Sequence, residues 1–323
     1  MPIVAWALVV LAGAGALLTA CVGDAGPGWI CGAGAVAITT AYSWALAART
    51  GGRPVVVGTL ALVLGVGVLV IDDDRLRTGA AVLTGVVAAV LAVMVTVPAV
   101  KFVHAAREVV LATLVAGIGA FAVVGFEPVV KVARFEYVTL GLALVGAFAV
   151  VNRLGAGLHG LGRRGIVAVL VGSLVLAVTL AYAELLRRYG TPALLSTLLD
   201  AVSWSRANLG AFPKPLETVL GVPALAWGTH MRARRRQGWW VCAFGVAATA
   251  SVATALVNPS VALTEAGLSV GYGLVVGLFI GFVVIRLDLA LTGSSGGSRG
   301  RRGRRDEEAT ALRPEPARTR PLL

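Results

Sequence analysis

Long apolar runs, separated by short polar stretches, set the pattern of this chain. Ten blocks stand out: Ile3–Val22, Trp29–Ala48, Val55–Ile71, Thr78–Val100, Val109–Phe126, Tyr137–Val151, Ile166–Leu186, Leu216–Thr229, Trp239–Val257 and Val261–Ile285. Each holds roughly 15 to 23 residues, against the ~20 an α-helix needs to cross ~30 Å of hydrocarbon. The pattern predicts an all-α fold, a polytopic transmembrane helical bundle of about ten spans. The sixth and eighth blocks are short, and Pro223 interrupts the eighth.

The polar stretches predict an orientation, because Lys and Arg are retained on the cytoplasmic side. With Met1 inside, the inner loops hold Arg49 and Arg53, Lys101 and Arg107, Arg153, Arg163 and Arg164, then Arg232 and Arg234 to Arg236. The stretch from Arg286 onward adds nine more. Twenty of the 28 basic residues then lie inside, with six of the 16 acids. Removing the eighth block would send Arg232–Arg236 outside and collapse this asymmetry. Leu216–Thr229 is therefore expected to cross, as a kinked or broken helix. Aromatic rings favour the headgroup level. Trp6, Trp44, Trp227, Trp239 and Trp240 fall at the expected inner ends, Trp29, Tyr137 and Tyr182 at the outer ends.

Composition narrows the class. The chain has 323 residues, 58% hydrophobic and 14% charged, where a soluble domain carries about 25% charged residues. The net charge of +12 does not indicate a nucleic-acid partner, because the cations sit at the ends of apolar blocks. Arg far outnumbers Lys, and Ala, Gly and Val abound, as in a high-GC bacterium. The expected location is the bacterial cytoplasmic membrane, with the lipid bilayer as partner.

Residues 1–291 read as the transmembrane domain, with an outer loop at 187–215. In that loop Thr191-Pro192 has the form of a helix start, and Leu194, Leu195, Leu198, Leu199 and Val202 recur at helical spacing. The element is expected to lie on the outer leaflet or to pack over the bundle. Residues 292–323 read as a disordered, Arg-rich cytoplasmic tail, too polar to bury an apolar face. Its Arg299, Arg301, Arg302, Arg304 and Arg305 would anchor topology or attract anionic lipid.

Candidate chemistry is sparse. Glu265 lies near the outer end of the last span, where an ionisable group is costly. Glu184 and Glu217 end neighbouring spans at the same level, with Arg187, Arg188, Arg206 and Lys214 in the outer loop. Glu217, Glu265, Glu184, Arg206 and Lys214 are thus the candidate substrate-binding set. Any pocket is expected to open outward between the eighth and tenth spans, with Glu217 and Glu265 sharing a cation. Five glycines of the last span, Gly267, Gly271, Gly273, Gly277 and Gly281, permit close helix packing. Asp72, Asp73 and Asp74 read as a solvated acidic loop more than as a divalent-cation site. His104, His159 and His230 all fall in inner loops, without metal-ligand spacing. Cys21 and Cys31 face each other across a short outer turn and form a disulfide candidate. Leu18-Thr19-Ala20-Cys21 also has the form of a lipoprotein cleavage box, but no basic residue precedes it.

No phosphate loop, zinc helix or nucleophile turn occurs, so no cofactor or catalytic residue is implied. Ten spans with both ends inside are similar, in topology alone, to the drug/metabolite transporter superfamily. The leading expectation is a permease-like or export-type protein for a small or lipidic molecule. The alternatives are a non-catalytic membrane subunit in envelope assembly and an envelope glycan or lipid transferase.

Overall fold

A computed structural model describes residues 3–23, 27–156, 162–190, 192–234, 238–293 and 315–322. Among the described residues every regular element is a helix: α1 (Ile3–Leu17), α2 (Trp29–Arg49), α3 (Pro54–Ile71), α4 (Asp74–Met94), α5 (Phe102–Val124), α6 (Val132–Val151), α7 (Gly162–Tyr189), α8 (Pro192–Leu209), α9 (Val222–Arg232), α10 (Gly238–Phe244), α11 (Val246–Ala253) and α12 (Leu263–Gly293). Wider π-helical turns extend α1 over Leu18–Val22 and α6 over Asn152–Ala156, and one precedes α9 over Leu216–Gly221. Among the described residues seven helices are long and apolar enough to cross a membrane: α1 with its π-helical extension, α2 to α6, and α12. Large apolar side chains on α1, α3, α7 and α12, such as Leu8, Val63, Leu170 and Phe279, are exposed. Hydrocarbon covers such a surface, whereas water does not.

Local chemistry explains the helix ends. Pro54 opens α3, where its missing N–H costs nothing. Asp72 ends α3 in the left-handed region with φ 54°, which a short polar side chain tolerates. Asp73 caps α4, its carboxylate accepting from Arg75 N at 2.8 Å and Leu76 N at 3.1 Å. The three aspartates therefore make a two-helix corner. α5 begins at Phe102, seven residues before the apolar block it carries. That places Glu108 in its second turn, facing inward and fully buried, instead of in a loop.

The helices alternate between two ends of the bundle. At the Glu127 end, Arg77 of α4 reaches Glu127 beyond α5 at 2.8 Å, and Lys214 reaches Glu136 of α6 at 3.2 Å. At the Arg49 end, Arg49 Nε donates to Met94 O of α4 at 3.0 Å, and Arg232 Nη1 to Thr96 Oγ1 at 2.7 Å. The eighth block thus runs from Lys214 at one end to Arg232 at the other. It is the broken helix that Pro223 implies, a π-helical turn followed by α9. The ninth block is broken too, at Gly245 between α10 and α11, where Gly245 N bonds Cys242 O at 2.9 Å. Both broken elements are mostly buried and contribute to the central core, packed on α4, α5 and α6, with Val219 left exposed on the π-helical turn.

Two glycines make this packing possible. A Cβ at Gly221 would collide with the backbone nitrogen of Ala248 in α11, and one at Gly277 of α12 would come within 2.6 Å of Val222. Gly273, Gly277 and Gly281 all face Glu217, Val222 or Pro223, whereas Gly267 and Gly271 meet open space. The glycine stripe therefore serves packing over its second half only. α8 is held at its last turn, where Tyr272 donates to Leu209 O at 2.8 Å. Its Leu199 and Trp204 remain exposed, as on a surface helix and unlike a plug.

The tail departs from its expectation in one stretch. Glu315–Leu322 is seated on the Arg49 end, where Leu322 N donates to Arg49 O at 2.8 Å. Leu322 packs against the central core. Arg299 to Arg305 lie outside the described residues.

Candidate functional site

The approach to α9 is shaped by prolines. Pro213 and Pro215 flank Lys214, and neither offers a backbone donor. The chain enters by way of Gly210, which ends α8 at φ 77°. Ser269 of α12 then donates to Phe212 O at 2.7 Å. Lys214 O accepts from both the backbone N of Thr218, at 3.0 Å, and its hydroxyl, at 2.9 Å. A π-helical turn follows over Leu216–Gly221, an irregularity that recurs at functional positions.

Glu217 occupies this turn. It is 1% exposed, and neither carboxylate oxygen has a hydrogen-bond partner. The side chain lies against Gly273, where a Cβ would come within 2.8 Å of Oε1. Lys214, three residues earlier, turns instead to Glu136 and, at 3.4 Å, to Ser251 O. Beside the turn a crevice of about 310 Å³ is lined by Glu136, Lys214, Leu216, Thr179 and Ser251. The turn therefore carries a buried carboxyl group without a hydrogen-bond partner, and its neighbours Lys214 and Leu216 line a crevice that holds one cation and one anion.

The predicted set is only partly assembled. Arg206 and Glu265 do pair, at 3.2 Å. Glu217 and Glu265 do not come together. Glu217 faces Gly273, eight residues beyond Glu265 on α12 and so about 12 Å deeper. The crevice lies between α6, α7, α11 and the Lys214–Leu216 approach to α9, away from α12, because the glycine stripe closes α12 onto α9. The Glu184 side chain lies outside the described residues. Cys31 is disulfide-bonded, Cys242 is free and buried, and the Cys21 side chain lies outside the described residues. His104 is exposed and His230 buried in α9, so these two do not converge, and His159 lies outside the described residues.

Sequence reasoning missed Glu136 and the buried polar groups of the Arg49 end, namely Arg49, Glu108 and Arg232. One signal was present. Glu108 is the sole acid in the loops between spans that were expected inside, and an isolated carboxylate among cations invites burial in pairs. No family model, curated protein or solved structure matches this chain.

Proposed function

We propose that this chain is a multi-pass protein of the bacterial cytoplasmic membrane, permease-like or export-type, that handles a small or lipidic molecule. The observation that carries this reading is Glu217, a buried carboxylate without a donor in a broken helix of a membrane bundle. Such a group is costly to bury, and an ionisable residue at this position has a functional reason by default. Broken helices are also where membrane transporters expose backbone groups to a substrate. A substrate that brings an ammonium or hydroxyl group to Glu217 offsets the cost; it would enter where α12 closes over the carboxylate, because the crevice beside Lys214 and Glu136 is not lined by Glu217.

In this reading the chain crosses ten times with the Arg49 end in the cytoplasm. The excess of cations at that end supports it. So does the disulfide at Cys31, since the opposite end would then face an oxidising exterior. We pair Cys31 with Cys21 across the turn. A cysteine placed at Gly52 should resist an impermeant thiol reagent in intact cells, and one placed at Asp73 should react. The reverse pattern would overturn the orientation.

The functional test is untargeted lipid and metabolite profiling. A deletion strain and one carrying Glu217→Gln should accumulate the same species, with the variant inserted at normal level. Full rescue of the deletion profile by Glu217→Gln would remove the carboxylate from the activity. A deletion that changes no small molecule but loses an envelope assembly would favour the non-catalytic subunit.

A further inference from the structure

The Arg49 end holds a polar assembly independent of Glu217 and of the activity proposed for it. Arg49 closes α2 and Arg232 closes α9, and they are 3% and 1% exposed. Arg232 lies over the Trp239 ring, 3.5 Å from its centroid, and donates through Nη2 to Thr96 O at 3.1 Å. The wall beside them includes Glu108, which is held by Val97 N at 3.0 Å and by its own neighbour Arg107 at 3.0 Å. Glu108 is thus already matched from within the bundle. Among the described residues of the bundle, no anion pairs with Arg49 or Arg232.

The segment Glu315–Leu322 supplies what is missing. Glu315 Oε2 accepts from Arg232 Nη2 at 2.6 Å. Arg49 Nη1 donates to Ala317 O at 2.8 Å and to Arg320 O. Arg318 reaches Glu108 at 2.9 Å and Val95 O at 3.2 Å. The two guanidinium groups therefore open onto one place, since Glu315 and Ala317 are at most about 7 Å apart along the chain. The fit is incomplete. Arg49 Nη2 and Arg232 Nε are buried without an acceptor. One carboxylate and two carbonyl groups leave fixed, forked donors unused, and a tetrahedral oxyanion presents more oxygens to such forks.

We propose that Arg49 and Arg232 form a binding site for a phosphate group, and that Glu315–Leu322 is its tethered occupant, displaced when the phosphate enters. The phosphate comes from a soluble phosphomonoester or from an anionic lipid headgroup. In both cases it takes the place of the Glu315 carboxylate on Arg232 and fills the vacant donors.

The test uses the full chain in neutral phosphatidylcholine nanodiscs, with a spin label at position 319 reporting on the segment. Inorganic phosphate is titrated calorimetrically. Glu315→Ala removes the competitor without touching the bundle, and should bind phosphate about tenfold or more tightly than the unaltered chain. Arg49→Gln in that background should abolish the gain. Arg49→Lys, which keeps the charge and loses the fork, should restore part of it. In the unaltered chain, saturating phosphate should mobilise the label. Mobilisation only when phosphatidylglycerol is included would assign the phosphate to a lipid. Equal phosphate affinity with and without Glu315, together with a label unmoved by phosphate and by phosphatidylglycerol, would overturn the proposal. A gain indifferent to Arg49→Gln would overturn it too.

Discussion

The two ends of the bundle use the same residue types in opposite ways. At the Glu127 end the ion pairs meet solvent. Glu127 is 62% exposed, Arg206 59% and Lys214 36%. At the Arg49 end Arg232 and Glu108 have no exposed side-chain surface, and Glu315 has 6%. An exposed pair contributes about 0.2–1 kcal/mol, because water and salt screen it. A buried pair is a different object. Forming it removes two charges from water, so its net contribution is small, yet losing one partner leaves a desolvated charge and costs about 3–5 kcal/mol. The ion pairs at the Glu127 end therefore contribute little each to stability, while the charges at the Arg49 end depend on one another.

The largest effect that tests this contrast is loss of Arg232. Arg232→Gln should lower stability by about 3–5 kcal/mol, read by equilibrium unfolding in mixed micelles, and should release Glu315–Leu322. Glu315→Gln should cost less than Arg232→Gln, because the segment can detach and return both partners to water. Equal costs would mean that the segment is an integral part of the fold.

Packing between the two ends supplies an uncharged reference. Gly277→Leu forces a side chain against Val222 and should cost about 1–3 kcal/mol by overpacking. Its cost should be insensitive to salt. A salt-dependent loss would show that the α9–α12 contact is coupled to one of the charged ends.

The smallest effect belongs to Arg77, which bridges Asp72 and Glu127. Arg77→Gln should change stability by less than about 1 kcal/mol and by less still in high salt. A loss as large as that of Arg232→Gln would break the comparison.

The sequence by itself determined the helical class, the position of the apolar elements and the break in the eighth block. These are local properties. Hydropathy over some twenty residues, a proline in a helix, and a Thr-Pro start at α8 act over distances shorter than one element. The extents were less legible. α5 begins well before its apolar block, because charged Arg107 and Glu108 continue a helix that a hydropathy count ends. Tertiary structure alone decided which charges are paired in the interior. Arg49, Glu108, Arg232 and Glu315 are ordinary loop or tail charges when read along the chain. They become one network because α2, α5 and α9 end side by side and a distant segment folds back over them. It decided the site in the same way. Glu217 is left without a donor because Lys214 turns to Glu136 and because Gly273 lets α12 close over the carboxylate. Burial is set by neighbours far away in sequence, and no window along the chain contains them.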